Sequence, residues 1–141
     1  LAIALREGAT QTGNPENENI REKILRSAPE GLDIVFECCG QQEALDQAVD
    51  ILKPGGSLIV VGIPEFDRWS LSAETVRRRE ISLLFIRRQN ECVERTLDLM
   101  HSGVIDVGRM ITHRFPFEKT KEAFDLVAGY SDGVMKAMID F

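Results

Sequence analysis

Few side chains in this sequence could do chemistry, and their spacing narrows what that chemistry is. The soft and imidazole donors are Cys38, Cys39, Cys92, His101 and His113. No Cys-x-x-Cys occurs, and neither histidine stands at ligand spacing from a cysteine. A metal site built from this chain alone is therefore not expected. An odd number of cysteines, two of them adjacent, argues against a disulfide framework and for a reducing cytoplasm. Cys38 and Cys39 read as small buried hydrophobes. His113 reads as a structural hydrogen-bonding residue, Asn90 as a helix cap, and Glu37 as a half-buried structural carboxylate inside a strand. Arg87-Arg88 and Arg77-Arg78-Arg79 could hold a polar ligand, but surface arginines more often form solvated faces or weak ion pairs.

Glycines are the other residues of interest. Gly40 and Gly62 follow apolar runs directly. There a missing side chain lets a ligand approach the backbone, or merely completes a turn. Both readings stay open on the residues alone. No two of the eleven glycines are spaced by two, so the Gly-x-Gly-x-x-Gly phosphate cradle is absent. If the chain belongs to a dinucleotide-binding protein, that loop is expected upstream of Leu1.

The elements that must position these residues alternate. Leu1–Gly8 reads as the last two turns of a helix closed by glycine, so the chain is expected to be a piece of a longer one. Thr10–Thr12 is a candidate short strand. Asn14-Pro15 predicts a helix start, with Ile20, Ile24 and Leu25 as its apolar stripe. Leu32–Cys38 predicts a buried parallel strand. Gln41–Leu52 predicts a helix, Lys53-Pro54-Gly55-Gly56 a break, and Ser57–Gly62 a second strand. Ser72–Arg79 predicts a short helix and Ile81–Ile86 a strand. Such alternation predicts right-handed βαβ units and a parallel sheet covered on both faces. Its ligand would bind at the carboxyl ends of the strands. Beyond Arg88 the pattern shifts. A helix from Asn90 to His101 is followed by a strand at Met110–Phe115, a helix at Phe117–Val127 and a strand at Val134–Ile139. The expected division is 1–88 and 89–141.

Composition fits this. The 141 residues are 43% hydrophobic and 28% charged, as in ordinary globular domains. At this mass a compact fold should expose about 7,300 Å² and bury about two-thirds of the extended surface. A net charge of −6 argues against nucleic-acid binding, and no apolar run is long enough for a membrane span.

From Asp33 to Ile139 the sequence resembles the C-terminal part of zinc-containing medium-chain alcohol and polyol dehydrogenases, of the sorbitol and threonine dehydrogenase kind. The matching stretches are Asp33–Gly40, Leu52–Gly56, Val60–Pro64, Ile111–Pro116 with Glu122-Ala123-Phe124, and Gly133–Ile139. Their order over more than 100 residues is more specific than any one of them. Leu1–Ala9 also looks like the helix after the second strand of that family's cofactor domain.

The resemblance implies an α/β chain: the C-terminal half of a Rossmann-type parallel sheet plus the closing α+β segment of the catalytic domain. It implies hydride transfer between a secondary alcohol or polyol and NAD or NADP, with zinc ligands and the glycine loop outside this chain. Cys39 and Gly40 would line the adenosine side. Val61, Gly62 and Ile63 would lie along the nicotinamide, with Arg87 near its carboxamide. Arg88 resembles a substrate-side arginine, and Lys136 falls where the family keeps a basic residue near the pyrophosphate. The fragment alone is expected to be inactive. A homo-oligomer through strand Ile81–Ile86 is expected, with no nucleic-acid or membrane partner. Two alternatives stand beside this reading: an S-adenosylmethionine-dependent methyltransferase, which would end in an antiparallel hairpin, and a non-catalytic nucleotide-binding module.

Overall fold

In the computed structural model, which describes residues 1–141, the apolar runs become strands of two parallel sheets. In chain order the elements are α1 (Ala2–Arg6), α2 (Ile20–Ser27), β1 (Leu32–Glu37), α3 (Gln42–Ile51), β2 (Leu52–Val60) and α4 (Ala73–Arg78). There follow β3 (Ser82–Phe85), α5 (Val93–His101), β4 (Ile111–Pro116), α6 (Thr120–Ala128) and β5 (Lys136–Asp140). No helix is long and apolar enough to cross a membrane.

Two compact units result. Gly13–Asn90 is one, and Leu1–Thr12 with Glu91–Phe141 is the other. Thr10–Thr12, expected as a strand, pairs with no sheet. The leading segment instead meets the C-terminal residues, where Arg109 binds Glu7 at 2.9 Å.

In the Gly13–Asn90 unit, β1, β2 and β3 pair in that order, all parallel. Register sets which residues share a face. Val35, Leu58 and Leu83 align across the sheet, as do Phe36, Ile59 and Leu84 on the other face. The first row packs against the core cluster of Leu45, Ala48, Val49, Leu52, Leu58, Val60 and Ile81, joined by Trp69, Leu71 and Val76. Complete burial of a leucine contributes about 1.5–3 kcal/mol, so Leu45, Leu52 and Leu58 anchor this layer.

The opposite face corrects the expectation of a sheet covered on both sides. Ile34 is 53% exposed, Phe36 64% and Leu84 53%. The apolar run Leu32–Cys38 was expected to be buried, yet only its last strand residue, Glu37, is. The physical reason is one-sided packing: α3 meets β1 and β2, and α4 contributes Val76 to the same core.

Three local expectations also change. The helix predicted at Asn14 starts at Ile20, because a second asparagine competes for the cap. The Asn19 side chain accepts from Glu22 N–H at 3.0 Å, while Asn14 closes a turn on Glu16 N–H at 3.1 Å. Lys53–Gly56 does not interrupt the strand. The pairing jumps from Leu32–Leu52 to Ile34–Ser57, so these four residues form a bulge within β2. Asn90 caps nothing: α5 starts after Cys92, and both neighbours of Asn90 have left-handed backbones, Gln89 at φ 56° and Glu91 at φ 52°.

Of the three basic residues at Arg77–Arg79, two have assigned structural partners. Arg78 pairs with Glu74 at 2.8 Å. Arg79 donates to the carbonyls of Val49 and Asp50 at the end of α3, where a cation also offsets the helix dipole.

In the second unit β4 and β5 pair in parallel across α6. The antiparallel closing hairpin expected for a methyltransferase is not what forms. His113 does take a structural place, 2.9 Å from the Thr112 hydroxyl and 3.3 Å from Asp132.

The one-sided core has a measurable consequence. Leu58→Ala should lower stability to urea by about 2–5 kcal/mol, whereas Ile34→Ala on the open face, away from the β3 edge, should change it by less than about 0.5 kcal/mol. Equal losses would contradict this packing.

Candidate functional site

Beyond the last ladder pairs, Glu37–Val60 and Val60–Phe85, Ile86 N–H still donates to the Val60 carbonyl at 2.9 Å. There the strands end and their chains separate. Val61, Ile63, Ile86, Arg87 and Arg88 line a cleft of about 250 Å³ at this carboxyl edge. This is where open parallel sheets hold ligands. Val61 (41% exposed) and Ile63 (66%) offer apolar surface to it and are not core residues. Arg87 and Arg88 are exposed at its rim. Ile86 was absent from the expected set, although its place at the end of a strand could have suggested it.

Behind this cleft the chain is tied down by Glu37, which is 3% exposed. Its main-chain carbonyl accepts from Val61 N–H at 2.8 Å and Gly62 N–H at 2.9 Å. Its side-chain Oε1 accepts from Cys39 N–H at 2.8 Å, Gly40 N–H at 2.7 Å and the Cys39 thiol at 3.1 Å. One residue thus holds both the Cys39-Gly40 turn and the Val61-Gly62 segment. Oε2 is buried with no hydrogen-bond partner.

Gly40 and Gly62 are required here by crowding between main chains. Gly40 has φ +75°, and a Cβ on it would lie 2.5 Å from the Ile63 carbonyl oxygen. A Cβ on Gly62 would meet Glu37 Oε2 at 2.5 Å and Gly40 Cα at 2.7 Å. The two glycines left open between ligand approach and turn therefore share a third role, a close crossing of backbone that fixes Ile63.

The electrostatics follow the same contacts. Burial raises the pKa of the Glu37 carboxyl, but the donors on Cys39, Gly40 and Gln41 outweigh it and hold the group below its ordinary value. For Cys39, burial and then the bond to Glu37 push the thiol up, so it stays protonated at neutral pH. Both Cys38 and Cys39 are exposed as residues, contrary to the expectation of small buried hydrophobes. The turn at the strand end carries them out of the core.

Lys136, the remaining expected cofactor residue, lies exposed at the start of β5, in the other compact unit. For zinc, the donors do not fit: no three His, Cys, Asp or Glu side chains are grouped to hold an ion.

The family described as zinc-binding dehydrogenase matches residues 1–102. An alcohol dehydrogenase of Cupriavidus necator is 29% identical over 99% of this chain and 39% of its own length. A sorbitol dehydrogenase of Bombyx mori is 32% identical over 87% of this chain and 34% of its own. Among solved structures, a candidate zinc-binding dehydrogenase of Sinorhizobium meliloti 1021 bound to NADP superimposes with a TM-score of 0.86 at 26% identity. It covers 99% of this chain and 42% of that protein. The chain therefore belongs to the zinc-binding dehydrogenase family, and it spans about two-fifths of the length of the curated relatives it matches over nearly its whole length.

The depressed Glu37 carboxyl sets a sign for stability against pH. Because its folded pKa lies below the unfolded one, its contribution is full above the ordinary glutamate value of 4.5 and is lost as pH falls through the depressed one. The difference in urea midpoint between wild type and Glu37→Gln should be widest near neutral pH and shrink in acid below 4.5. A difference constant with pH would show that the buried group is not the ionised carboxylate.

Proposed function

We propose that the full-length protein carrying this chain is an oxidoreductase that transfers hydride between a secondary alcohol or polyol and NAD or NADP. In this reading residues 1–88 are part of the nucleotide-binding domain and 89–141 a segment of the catalytic domain. The observation that carries it is the cleft at the carboxyl ends of β2 and β3, in a chain of the zinc-binding dehydrogenase family. The names of the relatives, alcohol and sorbitol dehydrogenase, support the substrate class, and the Sinorhizobium structure with NADP supports the cofactor class.

The cleft has the chemistry of a nicotinamide site. A flat ring with an amide needs an apolar wall, a few fixed polar groups and exclusion of water. Val61, Ile63 and Ile86 supply apolar surface, and the main chain beyond the ladders supplies polar groups for the carboxamide near Arg87. Gly62 and Gly40 keep that wall thin and fixed. Cys39 and Gly40 would border the adenosine side. Bound there, the nicotinamide supplies the hydride acceptor or donor. Arg88 would hydrogen-bond substrate hydroxyls. No step is assigned to zinc, for which no three donor side chains are grouped in this chain. A cytoplasmic location is part of the proposal, in keeping with three free cysteines.

Strand β3 supports a further element, pairing with a second copy. It stands at one edge of the sheet, with Leu84 53% and Phe85 57% exposed, and an exposed apolar edge strand invites association.

Two measurements test these proposals. In the full-length protein, polyol oxidation with NAD or NADP should be detectable, and Arg88→Ala should lower turnover by about 10- to 1,000-fold with cofactor affinity little changed. Loss at Arg87→Ala and not at Arg88→Ala would transfer the substrate role to Arg87. Sedimentation should show the dimer converted to monomer by Leu84→Lys with Phe85→Lys. Leu83 is unsuitable for that test because it packs on the core. A dimer that survives both changes would exclude the β3 interface.

A further inference from the structure

Glu37 is the one charged residue buried in the molecule, and the reading above gives it only a scaffold role. Its surroundings define its charge state. Every group bonded to Oε1 is a donor: two backbone N–H groups and a thiol. Such a set stabilises a carboxylate and offers no acceptor to a neutral acid at that oxygen. Oε2 is buried without a partner and faces Gly62, where a Cβ would be only 2.5 Å away. The residues on either side of Gly62 are Val61 and Ile63, which line the cleft. Gly62 itself puts no side chain between the carboxylate and the main chain that joins those two residues.

We propose that Glu37 is an electrostatic positioning residue whose fixed negative charge behind Gly62 favours the cationic, oxidised nicotinamide ring in the cleft over its neutral, reduced form. This rests on the reading that the cleft takes the nicotinamide end of the cofactor. Glu37 exchanges no proton and forms no bond. Hydride gain by the ring cancels the ring's positive charge, and with it the attraction to Glu37. The two arginines at the rim act in the opposite sense, but they are exposed, so water and salt screen them more than the buried carboxylate. A unit charge about 10 Å away at an effective permittivity of about 20 changes a binding equilibrium by about tenfold, less where donors share the charge.

The test uses the full-length protein and binding alone. Glu37→Gln keeps the shape and one acceptor oxygen for the Cys39 and Gly40 N–H groups while removing the charge. Calorimetric titrations would compare NAD⁺ with NADH, NADP⁺ with NADPH, and ADP-ribose, which has no nicotinamide. Loss of the charge should weaken the oxidised cofactor about three- to tenfold relative to the reduced one and leave ADP-ribose unchanged. Equal weakening of the oxidised cofactor, the reduced cofactor and ADP-ribose would reduce Glu37 to a structural residue and overturn the proposal. Wild type that binds neither nicotinamide form would instead overturn the cofactor reading, and this proposal with it. If the glutamine variant fails to fold, Glu37→Asp decides. It keeps the charge, so the ratio of oxidised to reduced affinity should stay within about twofold of wild type. A collapsed ratio in that variant would overturn the proposal.

Discussion

The cleft depends on a place where two stretches of main chain come too close for any side chain. The Cys39-Gly40 turn lies against Gly62 and Ile63, and a Cβ on either glycine would overlap main-chain atoms. Such contact between backbones also crowds polar groups that need partners. Glu37 resolves this with one residue, accepting two N–H groups on its carbonyl and two more on its carboxylate. The strand end, the turn and the cleft wall become one rigid piece. Val61 and Ile63 can then offer apolar surface to a ligand without relying on a hydrophobic core behind them.

The rest of the Gly13–Asn90 unit supports that piece from one side. Leu45, Leu52 and Leu58 are fully buried on the face that α3 covers, and Ile81 closes the cluster before β3. The Arg79 side chain holds the end of α3, and its carbonyl accepts from Gly55 N–H at 2.8 Å, tying the bulge of β2 to the turn before β3. These bonds hold the lower ends of the strands while Glu37 holds the upper ends. Burial on a single face supplies less stabilisation than burial on two, so polar ties at both ends of the sheet carry more of the specification of register.

The open face is part of the same account. Ile34, Phe36 and Leu84 are exposed apolar side chains on one face of the sheet, left without a covering layer. Phe124, Val127 and Met138 are likewise exposed in the second unit. A sequence patterned for burial on two faces is buried on one.

The sequence by itself determined the order of elements, the parallel class and the position of the cleft. Runs such as Leu32–Glu37 and Ser57–Val60, separated by a helix with Leu45, Ala48 and Val49 on one stripe, have one economical arrangement, and a parallel sheet exposes its carboxyl ends to ligands. Val61, Ile63, Arg87 and Arg88 were legible for that reason as residues just past strand ends, while their roles toward a cofactor came only from the family resemblance. Tertiary structure decided what depends on contacts between segments distant in sequence. Burial on one face is set by which elements pack, and local hydropathy is the same either way. The choice of Asn19 over Asn14 as the cap of α2 is instead a local competition between two near-equal caps. The outward course of Cys38 and Cys39 came from the turn that Glu37 fixes. The role of Glu37 itself was hidden, since an acidic residue at the end of an apolar run looks the same whether water or three donors satisfy it. Its three donors come from Cys39 and Gly40 close by in sequence, and the approach of Gly40 to Gly62, across 22 residues of chain, packs the turn that presents them.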